Sequence, residues 1–187
     1  MKLIYKGKFD GNPESIPHGE HKPGAVKFRE PEDTKKLGMI ANSIAAVIAV
    51  VAIAGLIIRG GARAVSIAGM LMSYLTLFPH EILHALCFKN EVYLYTNLKD
   101  GMMFVTGPED MSKARFVFMS LLPNIVFGFV PYILFMINPH WKILGTMGAM
   151  CISMGAGDYL NVFNALIQMP KGARTYLYSF NSWWYMP

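Results

Sequence analysis

Long apolar runs alternate with short polar segments over most of this chain. Four runs of about 20 residues or more are rich in Ile, Val, Leu, Ala and Met, and they cover residues 37–58, 64–88, 114–137 and 142–169. An α-helix needs roughly 20 apolar residues to cross the hydrocarbon core of a bilayer. The pattern therefore predicts an α-helical integral membrane protein with about four transmembrane helices.

The segment between the second and third runs has a different pattern. Between Glu91 and Asp110, two β-prone stretches flank Asp100-Gly101, a pair that favours a tight hairpin turn. We predict a short β-hairpin between spans two and three, with an edge that could pair with an extended peptide substrate. The alternative is an interfacial loop that Tyr93 and Tyr95 anchor among lipid headgroups.

The polar ends of the chain complete the predicted domain organisation. Residues 1–36 combine eight Lys and Arg with several prolines, which predicts a largely irregular cytosolic arm with solvated histidines at 18 and 21. Residues 37–170 form the predicted four-span membrane domain. Residues 171–187 are rich in aromatic side chains and are predicted to form a cytosolic or interfacial tail.

Composition supports the membrane assignment and excludes other classes. Hydrophobic residues make up 53% of the chain and charged residues only 16%, which is too apolar for a soluble domain. The net charge is +5, but the basic residues lie outside the apolar runs and form no stripe, so nucleic-acid binding is excluded. Cys87 and Cys151 both lie within apolar runs, which predicts reduced thiols.

The distribution of basic residues predicts the orientation in the cell membrane. Fourteen of the 17 Lys and Arg lie in residues 1–36, 89–115 and 171–187, whereas three lie in the turns on the opposite side, at Arg59, Arg63 and Lys142. Segments rich in Lys and Arg remain in the cytoplasm. Both termini are therefore predicted to be cytosolic.

The second apolar run contains the sequence His80-Glu81-Ile82-Leu83-His84, an H-E-x-x-H motif. On a helix the two histidines lie one turn apart on one face, where both can bind one Zn²⁺. Glu81 lies beside them and could accept a proton from a metal-bound water. Ionisable groups in a predicted span indicate function, because they are expensive to place in hydrocarbon.

A second acidic residue supplies a third candidate ligand. Across the four apolar runs the only acids are Glu81 and Asp158. In straight helices, His80 and Asp158 would both lie about 24 Å from the outer face, at about 1.5 Å per residue. His80, His84 and Asp158 would then leave one zinc position open for water, as in catalytic sites. Asn124 and Asn161 could orient a ligand or bind substrate backbone, although Asn124 could instead join helices by hydrogen bonds.

These motifs resemble the integral-membrane zincin peptidases, relatives of the site-2-protease type of intramembrane metalloprotease. The resemblance covers residues from about 64 to the C-terminus, through the H-E-x-x-H sequence, the later G-x-G-D-x-x-N sequence and the ending Ser182-Trp183-Trp184-Tyr185. It implies that His80, His84 and Asp158 bind zinc and that Glu81 is the catalytic base. Site-2 proteases have glycine after the aspartate, whereas this chain has Tyr159.

Two functions from different classes follow. The first is a zinc-dependent endopeptidase that hydrolyses peptide bonds of membrane or membrane-associated proteins, with Glu81 moving the proton. The second is a catalytically inactive, zincin-like membrane protein that acts as a binding partner, or a helical bundle that carries ions. The presence of Glu81 favours the peptidase, because a structural metal site does not need an extra carboxylate. Cys87 is a further candidate ligand, although it is more often a small buried residue.

Overall fold

The chain contains more strand structure than its hydropathy predicts. The computed structural model describes residues 1–31, 33–97, 102–178 and 181–187. The protein is 57% helical and has seven strands in two sheets within these residues. The prediction of an α-helical protein with about four transmembrane helices is therefore wrong.

Two compact units make up the chain, and each combines segments that are distant in sequence. One unit contains residues 33–80 and 121–160, and the other contains residues 1–32, 81–120 and 161–187. The helices are α1 (Thr34–Gly60), α2 (Ile67–Leu75), α3 (Leu77–Leu86), α4 (Lys113–Pro123), α5 (Val130–Ile137), α6 (Lys142–Met154) and α7 (Ala156–Gln168). The strands are β1 (Lys2–Lys8), β2 (Val26–Lys27), β3 (Glu91–Asn97), β4 (Met102–Thr106), β5 (Met111–Ser112), β6 (Arg174–Tyr178) and β7 (Asn181–Tyr185).

Helix α1 is the longest apolar element of the unit that contains residues 33–80. Asp33 caps its N-terminus, where the Asp33 side chain accepts a hydrogen bond from the Lys35 amide, and Gly61, with φ +73°, follows its last residue. Only 11% of its apolar window is buried inside the protein. A long apolar helix that the protein leaves uncovered is suited to contact with lipid.

The second predicted span is bent. Helices α2 and α3 meet at Thr76 with a bend of 45°. The predicted kink at Pro79 explains this position, because a proline ring clashes with the carbonyl four residues earlier, here that of Leu75. Across the described residues two helical stretches are long and apolar enough to cross a membrane, Lys35–Gly60 and Lys113–Ile137, and the bent pair would be a third.

The fourth predicted span is broken into α6 and α7. The break lies at Gly155, where an added Cβ would collide with the side-chain amide of Asn124. Asn124 is 1% exposed and begins a π-helical turn, Asn124–Phe129, that joins α4 to α5. Helix α6 alone has 13 residues, fewer than the roughly 20 that cross a bilayer. The predicted continuous helix is therefore interrupted at Gly155, where the chain packs closely against Asn124.

The polar arm contributes strands β1 and β2, and the aromatic tail contributes β6 and β7. Strand β1 pairs in parallel with β3, and β4 pairs antiparallel with the other edge of β3. The second sheet has the order β2-β7-β6-β5, so both chain ends contribute to it. The predicted hairpin strands therefore belong to a three-stranded sheet. The predicted turn at Asp100-Gly101 lies outside the described residues.

A hydrophobic core lies between the sheets and helices of the unit that contains residues 81–120. Ala85 is fully buried at the end of α3, and Phe88 follows it into the same cluster. Phe116 of α4 and Ala165 of α7 complete the contact with these two residues. Tight packing of this kind restricts side-chain and helix movement. The core therefore holds the C-terminal end of the helix that carries the H-E-x-x-H motif.

Candidate metal centre

Helix α3 carries the three polar side chains of the H-E-x-x-H motif. His80 and His84 are four residues apart, so their side chains lie one turn apart on one side of the helix. One ligand atom from each of His80, Glu81 and His84 lies within 4.8 Å of the others. The helix therefore groups three side chains that are able to hold a metal ion.

The ring of His84 is held in one orientation by a backbone carbonyl. Its Nδ1 lies 2.9 Å from the Met119 oxygen, and the residue is only 7% exposed. A carbonyl can only accept, so Nδ1 carries the hydrogen and Nε2 carries the lone pair. Histidines that bind metals commonly donate their other N–H to a carbonyl in this way. His84 therefore has the tautomer that a metal ligand at Nε2 requires.

His80 lies beside the carboxylate of Asp158. His80 Nε2 and Asp158 Oδ2 are 3.2 Å apart, and the two side chains are 18% and 15% exposed. Asn124 Nδ2 donates to the same carboxylate oxygen at 2.7 Å, and Tyr159 Oη donates to Asn124 Oδ1 at 3.4 Å. Asp158 is also in the first turn of α7, where the helix dipole favours a negative charge. Two different contacts therefore fix the position of this carboxylate.

The separation of these two side chains fits a zinc ion. Two ligand atoms at about 2.0–2.1 Å from a tetrahedral zinc lie roughly 3.3 Å apart. The 3.2 Å between His80 Nε2 and Asp158 Oδ2 is close to that value. Imidazole nitrogen and carboxylate oxygen are also the donors found in catalytic zinc sites. The donor atoms of His80, His84 and Asp158 and the spacing of the His80–Asp158 pair are therefore suited to zinc.

Glu81 contacts the outer edge of strand β4. Its Oε2 accepts a hydrogen bond from the Val105 amide at 3.0 Å. Val105 lies opposite Leu94 of β3, but its amide hydrogen points away from β3, towards Glu81. This hydrogen bond holds the Glu81 carboxylate at the outer edge of the sheet.

Arg115 holds the end of α3 in place. Its Nε and Nη2 donate to the Cys87 carbonyl at 2.8 and 2.5 Å, and its Nη1 donates to Glu109 Oε1 at 2.6 Å. The other Glu109 oxygen accepts the amides of Lys89 and Asn90 at 2.7 and 3.0 Å. Charged hydrogen bonds of this kind are roughly twice as strong as neutral ones. The pair therefore fixes the chain directly after the motif helix.

We expect Glu109→Gln to lower the free energy of unfolding at neutral pH by about 1.5–3 kcal/mol, the usual range for a hydrogen bond to a charged group. Burial opposes ionisation of Glu109, but the amides of Asn90 and Lys89 and the guanidinium of Arg115 outweigh it and lower the pKa of this carboxyl. A lowered pKa stabilises the fold above the ordinary carboxyl range and loses that effect as the pH falls through the native value.

Thermal unfolding of the variant and wild type at neutral pH and at about pH 3 checks this expectation, because the carboxylate contribution should shrink in acid. Glu14→Gln, at an exposed glutamate, is the matched control. A stability difference that is equally large at both pH values would contradict the assignment.

The roles of the two remaining candidate residues, Asn161 and Cys87, stay predictions. Asn161 is half-buried on α7, three residues beyond Asp158. Cys87 follows the last residue of α3, and its Sγ donates weakly to the Leu83 carbonyl at 3.5 Å. His21 is exposed, and its ring stacks on Tyr178 at 3.9 Å between ring centroids.

Several groups at the site could not be found from residue types. The Met119 carbonyl and the Val105 amide are backbone atoms, and every residue type carries such atoms. Arg115 and Glu109 form an ion pair, but in the sequence they are simply a basic and an acidic residue six positions apart. Asn124, in contrast, can be identified from the sequence, because Pro123-Asn124 interrupts an apolar run.

A helix with two histidines and a glutamate in this spacing defines the zincin class of site. The chain belongs to the family described as "Putative zincin peptidase", whose model matches residues 73–174, more than half of the sequence. The matched residues include the motif helix and Asp158. Membership supports a peptidase-like function and implies zinc. Searches of curated proteins and of solved structures found no match.

Proposed function

We propose that this protein is a zinc-dependent, membrane-embedded peptidase that hydrolyses peptide bonds of membrane or membrane-associated proteins. The observation that carries the proposal is the 3.2 Å separation of His80 Nε2 and Asp158 Oδ2 beside an H-E-x-x-H helix. His80, His84 and Asp158 would bind the zinc. A relationship to site-2-type intramembrane proteases is part of the same proposal.

The residues of the chain divide the work of hydrolysis. When bound, zinc would act as a Lewis acid towards water and the substrate carbonyl. Glu81 would take a proton from the attacking water and return it to the leaving amine. Asn124 would keep the Asp158 carboxylate oriented, since its amide donates to that oxygen. The Met119 carbonyl would keep His84 in the tautomer that binds through Nε2.

Cleavage of a fluorogenic transmembrane peptide by the purified protein tests this function. We expect cleavage that a zinc chelator abolishes and added zinc restores, because the metal supplies the Lewis acid. Cleavage that is insensitive to the chelator would contradict the proposal. Stoichiometric zinc without cleavage of any such peptide would favour the alternative, a catalytically inactive zincin-like partner or an ion-carrying bundle.

Strand β4 is the part of the sheet that could receive the substrate. Within the described sheet it pairs with β3 on one edge only, whereas β3 is paired on both edges. An extended peptide can add to such an edge through its main chain. The Glu81 carboxylate contacts this edge at Val105. A peptide bound along β4 would therefore run beside the catalytic base.

Met103→Pro should raise the KM for the peptide while leaving bound zinc unchanged. Amides two residues apart on a strand point the same way, so Met103, like Val105, directs its amide away from β3. Proline at an outward position on an edge strand removes a donor without breaking the sheet. Met103→Ala, which keeps the amide, is the control. An unchanged KM in Met103→Pro would exclude pairing of the substrate at this position.

The proposed location is the cell membrane, with several spans and both termini in the cytosol. We expect an impermeant thiol reagent, applied to intact cells, to label Ala62→Cys and to label Ser15→Cys only after lysis, since basic segments stay inside. Both positions are exposed. The two variants would be made in a protein in which Cys87 and Cys151 have first been replaced by alanine, so that only the new thiol can react. If the reagent labelled Ser15→Cys on intact cells and did not label Ala62→Cys, the predicted orientation would be wrong.

A further inference from the structure

A cavity of about 450 Å³ lies where helix α4 begins and helix α7 ends. Its walls are residues 112–114 and Val117 at the start of α4, Leu166 of α7, and the loop 171–173. All of these residues belong to one compact unit. The volume is within the range of small-molecule sites and far exceeds that of one phosphate ion.

The cavity combines apolar walls with basic groups. Ala114, Val117, Leu166 and Ala173 supply apolar surface, and Lys113 and Lys171 are the two charged residues among those that line it. Lys171 is exposed. Lys113 Nζ donates to the Leu166 and Met169 carbonyls at 3.1 and 2.8 Å, which uses two of its three hydrogens. A positive charge therefore accompanies a largely apolar surface.

The start of α4 adds to the preference for an anion. Lys113 is the first residue of this helix, and the Ser112 hydroxyl accepts the Arg115 amide at 3.3 Å. The N-terminus of a helix carries a partial positive charge that attracts anions. Lys113 is also the first residue of the membrane-spanning candidate Lys113–Ile137. The cavity is therefore located where an apolar helix leaves the polar part of the chain.

We propose that this cavity binds one anionic phospholipid. Its phosphate would lie near Lys171 and Lys113, and the part of an acyl chain next to the headgroup would lie against Ala114 and Val117. Basic pockets beside transmembrane helices recognise anionic headgroups, and apolar walls select the chain of the same molecule. A free phosphate would leave those walls uncovered. The lipid would join the loop 171–173 to the start of α4 and would stabilise this end of the unit.

Native mass spectrometry of the detergent-purified full chain tests the proposal with phosphatidylglycerol and with phosphatidylcholine of the same chain length. We expect one saturable phosphatidylglycerol adduct and at least fivefold weaker binding of phosphatidylcholine. Lys171→Gln should weaken the binding of phosphatidylglycerol about fivefold, as expected for one lysine near an anionic lipid. Ala114→Trp, at an exposed position, should fill the cavity and remove the adduct.

Two controls separate this site from general charge and from catalysis. Lys22→Gln removes an exposed lysine outside the cavity, and Glu81→Gln alters the candidate base, so both should bind phosphatidylglycerol like wild type. Equal binding of the two lipids, displacement of the lipid by millimolar inorganic phosphate, or wild-type binding in either Lys171→Gln or Ala114→Trp would overturn the proposal.

Discussion

Glu81→Gln should keep its zinc and lose peptidase activity by about 10²–10⁴-fold, the usual contribution of a positioned general base. Glutamine has the same shape, and its amide oxygen can still accept the Val105 amide that Glu81 Oε2 accepts at 3.0 Å. It cannot take a proton from water. Initial cleavage rates and zinc per protein, measured on the same preparations, check both parts of the expectation.

The exposed Glu14 offers a matched control, because Glu14→Gln makes the same chemical change away from the motif. Its activity should equal that of wild type. A fully active Glu81→Gln would exclude this residue as the base and would remove the peptidase assignment. Loss of both zinc and activity would instead indicate that Glu81 supports metal binding.

Asp158→Ala should reduce zinc affinity by more than about 100-fold, since even residues that only support a ligand contribute 10–100-fold. The change removes the carboxylate that lies 3.2 Å from His80 Nε2 and leaves the Asn124 amide without this acceptor. His80→Ala and His84→Ala should lose zinc to a similar extent. Asn124→Ala, which keeps all three proposed ligands, should reduce zinc affinity by 10–100-fold.

Zinc titration of the four variants with a competing chelator measures these differences. His140→Ala is the matched control, because His140 is exposed in the turn before α6. Unchanged affinity in Asp158→Ala would exclude this residue as a ligand. Cys87, which follows the motif helix, would then be the next candidate for the third ligand.

The candidate site could be predicted from the sequence wherever side-chain chemistry repeats with the helix period. His80 and His84 lie on one face of a helix because positions four apart share a face. Glu81 is the next residue after His80 on the same helix. Asp158 was found because it is one of two acids within the apolar runs. The depth argument for it assumed straight spans, whereas the structure places breaks at Thr76 and Gly155. Its closeness to His80 depends on helix packing that spacing alone does not determine.

The fold was harder to predict, because hydropathy records apolar content and not helix continuity. A proline at 79 and a tight contact between Gly155 and Asn124 each interrupt a run that reads as one span. Strand β1 of the arm is not evident from the local sequence, because it pairs with β3, a strand about 90 residues away. Pairing at that distance leaves little trace in a local pattern.

X-ray absorption at the zinc edge of the purified wild-type protein tests the proposed metal centre most directly. We expect one zinc with two imidazole nitrogens and additional oxygen ligands at about 2.0–2.2 Å, which is the set that His80, His84, Asp158 and a water supply. The spectrum of Cys87→Ala should be the same. A sulfur ligand at about 2.3 Å, or a protein that binds no zinc, would contradict the proposed metal centre.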